Sequence, residues 1–275
     1  MKIDAHQHFW RYTAAEYDWI DDAMRAIRAD FLPETLAPFL AANGVNGTVA
    51  VEARPTLAET NWLLDLADRH PLIKGVVGWV PLADPNVSDI LASLAQRPRF
   101  KGVRHVVQGE ADPAFLEGTA FNRGIEACTK RGLIYDVLIL ARQLPAAIKF
   151  VDRHPNQAFV LDHIAKPVVQ GAPSAEWVRD IRELARRKNC SCKFSGVVTE
   201  VPGWQWTPDL LRPYFDVVLE AFGPRRLMFG SDWPVCLVAA SYTRWLDFVR
   251  DCVASLSAAE RDRVLGETAV QIYRL

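Results

Sequence analysis

The chain has 275 residues, 50% of them hydrophobic, with 32 basic and 33 acidic side chains and a net charge of −1. That length buries a barrel-sized core or two smaller ones, and the mixed charge offers neither a basic stripe for nucleic acid nor an acidic tail. No apolar run approaches the ~20 residues of a membrane span, the N-terminus reads as lacking a signal peptide, and five scattered cysteines (Cys128, Cys190, Cys192, Cys236, Cys252) read as reduced thiols of a cytoplasmic protein.

The first predicted strand, 2–8, carries His6 and His8 two residues apart. On a strand such a pair shares one face, so two imidazoles converge on a single divalent ion. A His-x-His pair alone is a weak signal, and two buried, hydrogen-bonded histidines are the plainer reading. A helix follows at 33–42, with Leu36, Phe39 and Leu40 on one side and Asn43-Gly44 as its stop. The strand at 47–53 brings Glu52 and leads to Arg54. Their spacing puts both on one face. Glu52 is then a candidate metal ligand and Arg54 a candidate clamp for planar oxygen groups, unless the two pair with each other. A helix at 57–69 ends at His70-Pro71, and a strand at 73–80 and a helix at 87–96 come next.

The strand at 100–107 holds Arg104 and His105. Neighbours on a strand face opposite ways. His105 is read as facing the site, where it would polarise a carbonyl. A helix at 122–130 stops at Arg131-Gly132, and the strand at 133–140 carries Tyr135 and Asp136. After a helix at 145–153, the strand at 158–163 runs into Leu161-Asp162-His163-Ile164-Ala165-Lys166-Pro167. Lys166 either hydrogen-bonds a substrate or pairs with an acid. A helix at 175–188 precedes the strand at 190–195, which carries Lys193 and Ser195. Cys190-Ser-Cys192 lacks the second pair that a zinc site needs. Beyond it, Trp204 and Trp206 flank Gln205 on a Pro-Gly frame. They suit an aromatic wall for a sugar ring, with Trp10 and Trp233 near enough to join, although a packed loop explains them too. Thr207 caps a helix at 208–222. The strand at 226–230 ends in Gly230-Ser231-Asp232-Trp233-Pro234, and helices at 245–256 and 258–273 close the chain.

Eight strand-then-helix units over residues 1–275 predict one (β/α)8 TIM barrel. An open doubly wound sheet fits less well, because no Gly-x-Gly-x-x-Gly turn follows the first strand. In such a barrel the chemistry sits at the C-terminal strand ends. His6, His8, His163 and Asp232 all fall there. At Asp232 a turn or helix N-cap residue is the alternative to a site residue.

His6-Gln7-His8, Leu161–Pro167 and Gly230–Pro234 together resemble the amidohydrolase superfamily, and more narrowly its branch of sugar-lactone lactonases such as L-fuconolactone and L-rhamnonolactone hydrolases. The resemblance implies one divalent ion, zinc foremost, held by His6, His8, His163 and Asp232, with Glu52 as a possible addition. It also implies that Asp232 takes the proton from the attacking water. Two-metal members carry a bridging lysine on the fourth strand; here Arg104-His105 stands there. A related lactonase group works without metal, so the resemblance leaves both forms open. The expected activity is opening of a sugar-acid lactone to the aldonic acid. Asp232, His163 and His105 are the catalytic candidates, and Arg54, Arg104, Lys166, Trp204 and Trp206 the substrate-binding ones. The expected partner is a small sugar lactone, and the chain a monomer or homodimer. The alternatives are a decarboxylase of an aromatic or muconate-type acid, another ester or amide hydrolase of the superfamily, and a non-catalytic sugar-binding barrel.

Overall fold

The computed structural model describes residues 1–275. Eight parallel strands pair in sequence order: β1 (Ile3–Gln7), β2 (Gly47–Val51), β3 (Ile73–Gly78), β4 (Phe100–His105), β5 (Ile134–Val137), β6 (Phe159–Leu161), β7 (Cys190–Phe194) and β8 (Leu227–Phe229). Around them run α1 (Pro33–Ala42), α2 (Leu57–Arg69), α3 (Val87–Leu94), α4 (Thr119–Lys130), α5 (Leu144–Arg153), α6 (Ala175–Ala185), α7 (Pro208–Phe222), α8 (Tyr242–Val253), α9 (Ala258–Asp262) and α10 (Thr268–Tyr273). This is the TIM barrel that the alternating pattern predicts. The seam between β1 and the segment after β8 is closed by Asp232 N donating to His6 O at 2.8 Å and His8 N donating to Trp233 O at 2.7 Å. The backbone of three expected site residues therefore completes the barrel.

Two apolar layers hold the fold. The larger cluster lies between strands and helices and includes Leu36, Leu63, Leu91, Phe150, Phe215 and Trp245, all fully buried. Each such side chain gains about 1.5–3 kcal/mol by leaving water. A second cluster fills the barrel floor, where Ile3, Val49, Val77, Val160 and Met228 meet Tyr273 of α10. Above this floor the lumen becomes polar, as the catalytic end of such a barrel does.

All eight strands lie inside the predicted ranges, and each is shorter than its range. The strand expected at 133–140 stops at Val137, and that expected at 73–80 stops at Gly78. The helix expected across 258–273 is broken at Arg263–Glu267, where a widened turn brings Gly266 against the backbone of Met1 and Ile3. A side chain at 266 would collide with both, so the backbone bends around β1 instead of running straight.

Candidate active site

The three histidines and Asp232 converge at the lumen mouth. Asp232 Oδ1 lies 3.3 Å from His8 Nε2, 3.7 Å from His6 Nε2 and 3.9 Å from His163 Nε2. His6 and His8 come from the end of β1, where a register shift between Asp4 and Gln7 separates the floor-facing residues from the mouth-facing ones. His163 sits just past β6 in a run of four residues with positive φ, His163 to Lys166. Non-glycine residues adopt that conformation only at a cost, typically where function demands it. The run is pinned by Lys166 N donating to His163 O at 2.8 Å and by Trp177 Nε1 of α6 donating to Ile164 O at 2.9 Å. Asp232 also has a positive φ, of 57°.

One hydrogen bond fixes the tautomer of His8. His8 Nδ1 donates to Val51 O at 2.9 Å, which leaves Nε2 as a bare lone pair. That lone pair faces Asp232 Oδ1 at 3.3 Å and His6 Nε2 at 3.2 Å. Acceptors this close repel unless a proton or a cation lies between them. His163 Nδ1 bonds Ser195 Oγ at 2.9 Å, so its Nε2 also points at the cluster. Gly196 makes this possible, because any Cβ there would clash with the His163 ring. Burial pushes His163 down to about 4, keeping the imidazole neutral. Burial likewise lowers His6, against the pull of Asp162. For Asp232 burial works against the charge, and His163, His8 and His6 lower its carboxyl through the proton they share with it.

A buried charge network lies beneath. Arg104 Nε donates to Glu52 Oε1 at 2.9 Å and its Nη1 to Asp162 Oδ2 at 3.2 Å; Nη1 also lies 3.4 Å from His6 Nε2. Burial opposes the guanidinium charge, yet Glu52 and Asp162 hold it firmly cationic. Lys193, fully buried, pairs with Asp136 and with Asp162 Oδ1 at 3.1 Å, and its Nζ lies 3.3 Å from His6 Nδ1. Tyr273 completes the network by donating to Asp136. Burial raises Asp136 to about 6, with Lys193 acting against it.

This donor set fits a divalent cation. Four buried carboxylates (Glu52, Asp136, Asp162, Asp232) face two buried cations, Arg104 and Lys193. With neutral imidazoles, ionisation of these carboxylates leaves an excess of buried negative charge, which favours a bound cation. The ligand atoms of His6, His8 and Asp232 all lie within 4.8 Å of one another, as do those of His6, Asp162 and His163. The first group fits better, because Asp162 is already neutralised by Arg104 and Lys193.

The site opens into a cavity of about 530 Å³. His8, His163, Asp232 and Arg104 line it together with Lys166 and Trp204. Six expected positions lie elsewhere. His105 points away from the lumen: its Nε2 meets Glu110 Oε1 at 2.6 Å and its ring stacks on Phe115 at 4.9 Å. On β4 it is Arg104 that takes the inward face. Glu52 is the counter-ion of Arg104 rather than a member of either ligand group. Arg54 is paired with Glu16 at 2.6 Å, over the Tyr17 ring. The same-face argument for Glu52 and Arg54 fails because β2 ends at Val51, before either residue. Trp206 packs on Trp245 and Phe248 and donates to Ala239 O at 3.2 Å. Gly203 and Trp204 have φ near 65° and 58°, so strand-like alternation does not apply in that loop. Trp10 and Trp233 are fully buried core residues and form no cavity wall.

Asp162, Lys193 and Asp136 stand at the expected strand ends, but the sequence gives none of them a role. Lys193 inside Cys190–Phe194 and Asp136 inside Ile134–Val137 are each the lone charge of a fully buried strand. Trp19, Met24 and Glu200 also line the cavity, from loops that carry no pattern of their own.

A family profile described as amidohydrolase matches residues 3–275. The chain belongs to the amidohydrolase family. Within that family it is 41% identical to an L-fucono-1,5-lactonase of Burkholderia multivorans, over 100% of this chain and 96% of the relative. It is 39% identical to an L-fucono-1,5-lactonase of Burkholderia ambifaria, with the same coverage. An amidohydrolase structure from Burkholderia multivorans with bound zinc superposes with a TM-score of 0.97 at 41% identity, covering 100% of this chain and 99% of that one.

Proposed function

We propose that this amidohydrolase opens a sugar-acid lactone to its aldonic acid. The observation that carries the reading is the Asp232 carboxylate, ringed by three imidazole Nε2 atoms at the inner end of a cavity large enough to admit a sugar ring. The full-length relatives that act on L-fucono-1,5-lactone support a six-membered deoxy-sugar lactone as the substrate. His6, His8, His163 and Asp232 would hold one zinc ion. When bound, it supplies Lewis-acid polarisation of the water and the carbonyl.

The chain's own residues do the rest. Asp232 is ionised and faces the cavity, so it takes a proton from the attacking water. The guanidinium of Arg104 faces the same space and stabilises the oxyanion as it forms, the part first given to His105. Asp232 then returns the proton to the leaving ring oxygen. Lys193 and Asp162 flank His6 Nδ1 and fix its ring. Five free, buried cysteines accord with a cytoplasmic enzyme.

A pH-indicator screen of sugar lactones, run beside a carbon dioxide assay on aromatic and muconate-type acids, tests this. Acid release from a deoxy-sugar 1,5-lactone is expected. Carbon dioxide release with no lactone turnover would replace the lactonase by the decarboxylase.

A further inference from the structure

The hydrolytic chemistry leaves one pair of charged cavity residues unused. Lys166 Nζ lies 3.2 Å from Glu200 Oε1, and both side chains are about one-fifth exposed (21% and 20%). Both line the cavity that Asp232, His163 and Arg104 line. Lys166 ends the left-handed run after β6, and Glu200 stands in the loop after β7 beside Trp204. The pair therefore joins two loops at the substrate space.

Its bonding capacity is only partly used. The contacts of Glu200 with Lys166 and with Thr199 Oγ1, at 3.4 Å, both fall on Oε1. Oε2 accepts nothing from the protein and is not among the buried polar atoms. Lys166 Nζ has Glu200 as its one ionic partner and keeps donors to spare. A partly exposed ion pair adds little stability. Here it presents a free acceptor beside a free donor with no net charge.

We infer that Glu200 and Lys166 form a hydroxyl clamp that selects lactones bearing neighbouring free ring hydroxyls. The inference rests on the lactonase reading. One hydroxyl donates to Glu200 Oε2, and the next accepts from Lys166 Nζ. The pair disfavours a free carboxylate on the substrate ring, since Glu200 repels the anion that Lys166 attracts. It selects a neutral polyol ring, with Trp204 beside it as an apolar face.

The test compares kcat/KM for a polyhydroxylated six-membered sugar lactone with that for δ-valerolactone, the same ring without hydroxyls. In Glu200→Ala and in Lys166→Met the ratio of the two should fall about 10- to 100-fold, as expected when a charge-assisted hydrogen bond to substrate is lost. A purely structural pair would lower both substrates in the same proportion, and that result overturns the clamp. Should either variant fail to fold, the wild-type enzyme decides. It should favour the hydroxylated ring by at least about 1,000-fold, and parity between the two rings overturns the clamp. Turnover of no lactone at all removes the lactonase reading and the clamp together. Active wild type with an unmoved ratio removes only the clamp.

Discussion

Asp232 and His105 make opposite predictions at the residue scale. Asp232 has its carboxylate oxygen among three imidazoles and faces the cavity, so Asp232→Asn should lower kcat by roughly 100- to 10,000-fold. His105 stacks on Phe115 behind β4, so His105→Asn should keep turnover within a few-fold of wild type. Steady-state kinetics on the best lactone of the screen checks both, and a large kcat loss in His105→Asn would return that residue to the mechanism. Glu59 of α2 gives a stability prediction. It is buried beside Glu52 and accepts backbone N–H groups from Ala53 at 2.9 Å and Arg54 at 2.7 Å. Burial, and then Glu52, raise its carboxyl from 4.5 to about 8. The folded state thus holds a proton that the unfolded chain has lost. The contribution is complete below pH 4.5 and is lost as pH rises through about 8. Urea unfolding of Glu59→Gln should show a flatter decline of stability across that interval than wild type does.

Among the elements, the loops after β6 and β7 set the site. The left-handed run at 163–166 turns His163 back over the barrel mouth, and Gly196 leaves room for its ring. Gly196 itself has φ +65°. Gly196→Ala adds a methyl group against the imidazole and strains the backbone at once. Expected outcomes are destabilisation of about 1–3 kcal/mol in urea unfolding and a clear loss of kcat. Full activity in Gly196→Ala would show that His163 tolerates displacement. The Glu200–Lys166 pair spans the same two loops, so hydroxyl recognition and His163 placement share a scaffold.

For the whole molecule, the buried charge balance predicts that a bound divalent ion stabilises the fold. Chelation leaves the net negative cluster uncompensated, so differential scanning calorimetry should record a lower Tm with chelator. Zinc at about 100 times its Kd should restore roughly 2.7 kcal/mol. A Tm indifferent to both would favour the metal-independent form of the enzyme. The barrel, its strand positions and the convergence of His6, His8, His163 and Asp232 were legible in the sequence, because apolar periodicity marks strands and chemistry in this fold gathers at their C-terminal ends. Orientation was not. β4 is largely buried on both faces, so nothing in its sequence says whether Arg104 or His105 turns inward. Glu52, Asp162 and Asp232 lie beyond the last paired residues of their strands, where alternation no longer holds. The sequence by itself determined which residue types stand at the mouth of the barrel. Only the tertiary structure decided their partners: Arg104 with Glu52 and Asp162, Lys193 with Asp136, Glu200 with Lys166. These pairings join residues 34 to 58 positions apart, and a contact between distant segments exists only once the barrel has closed around it.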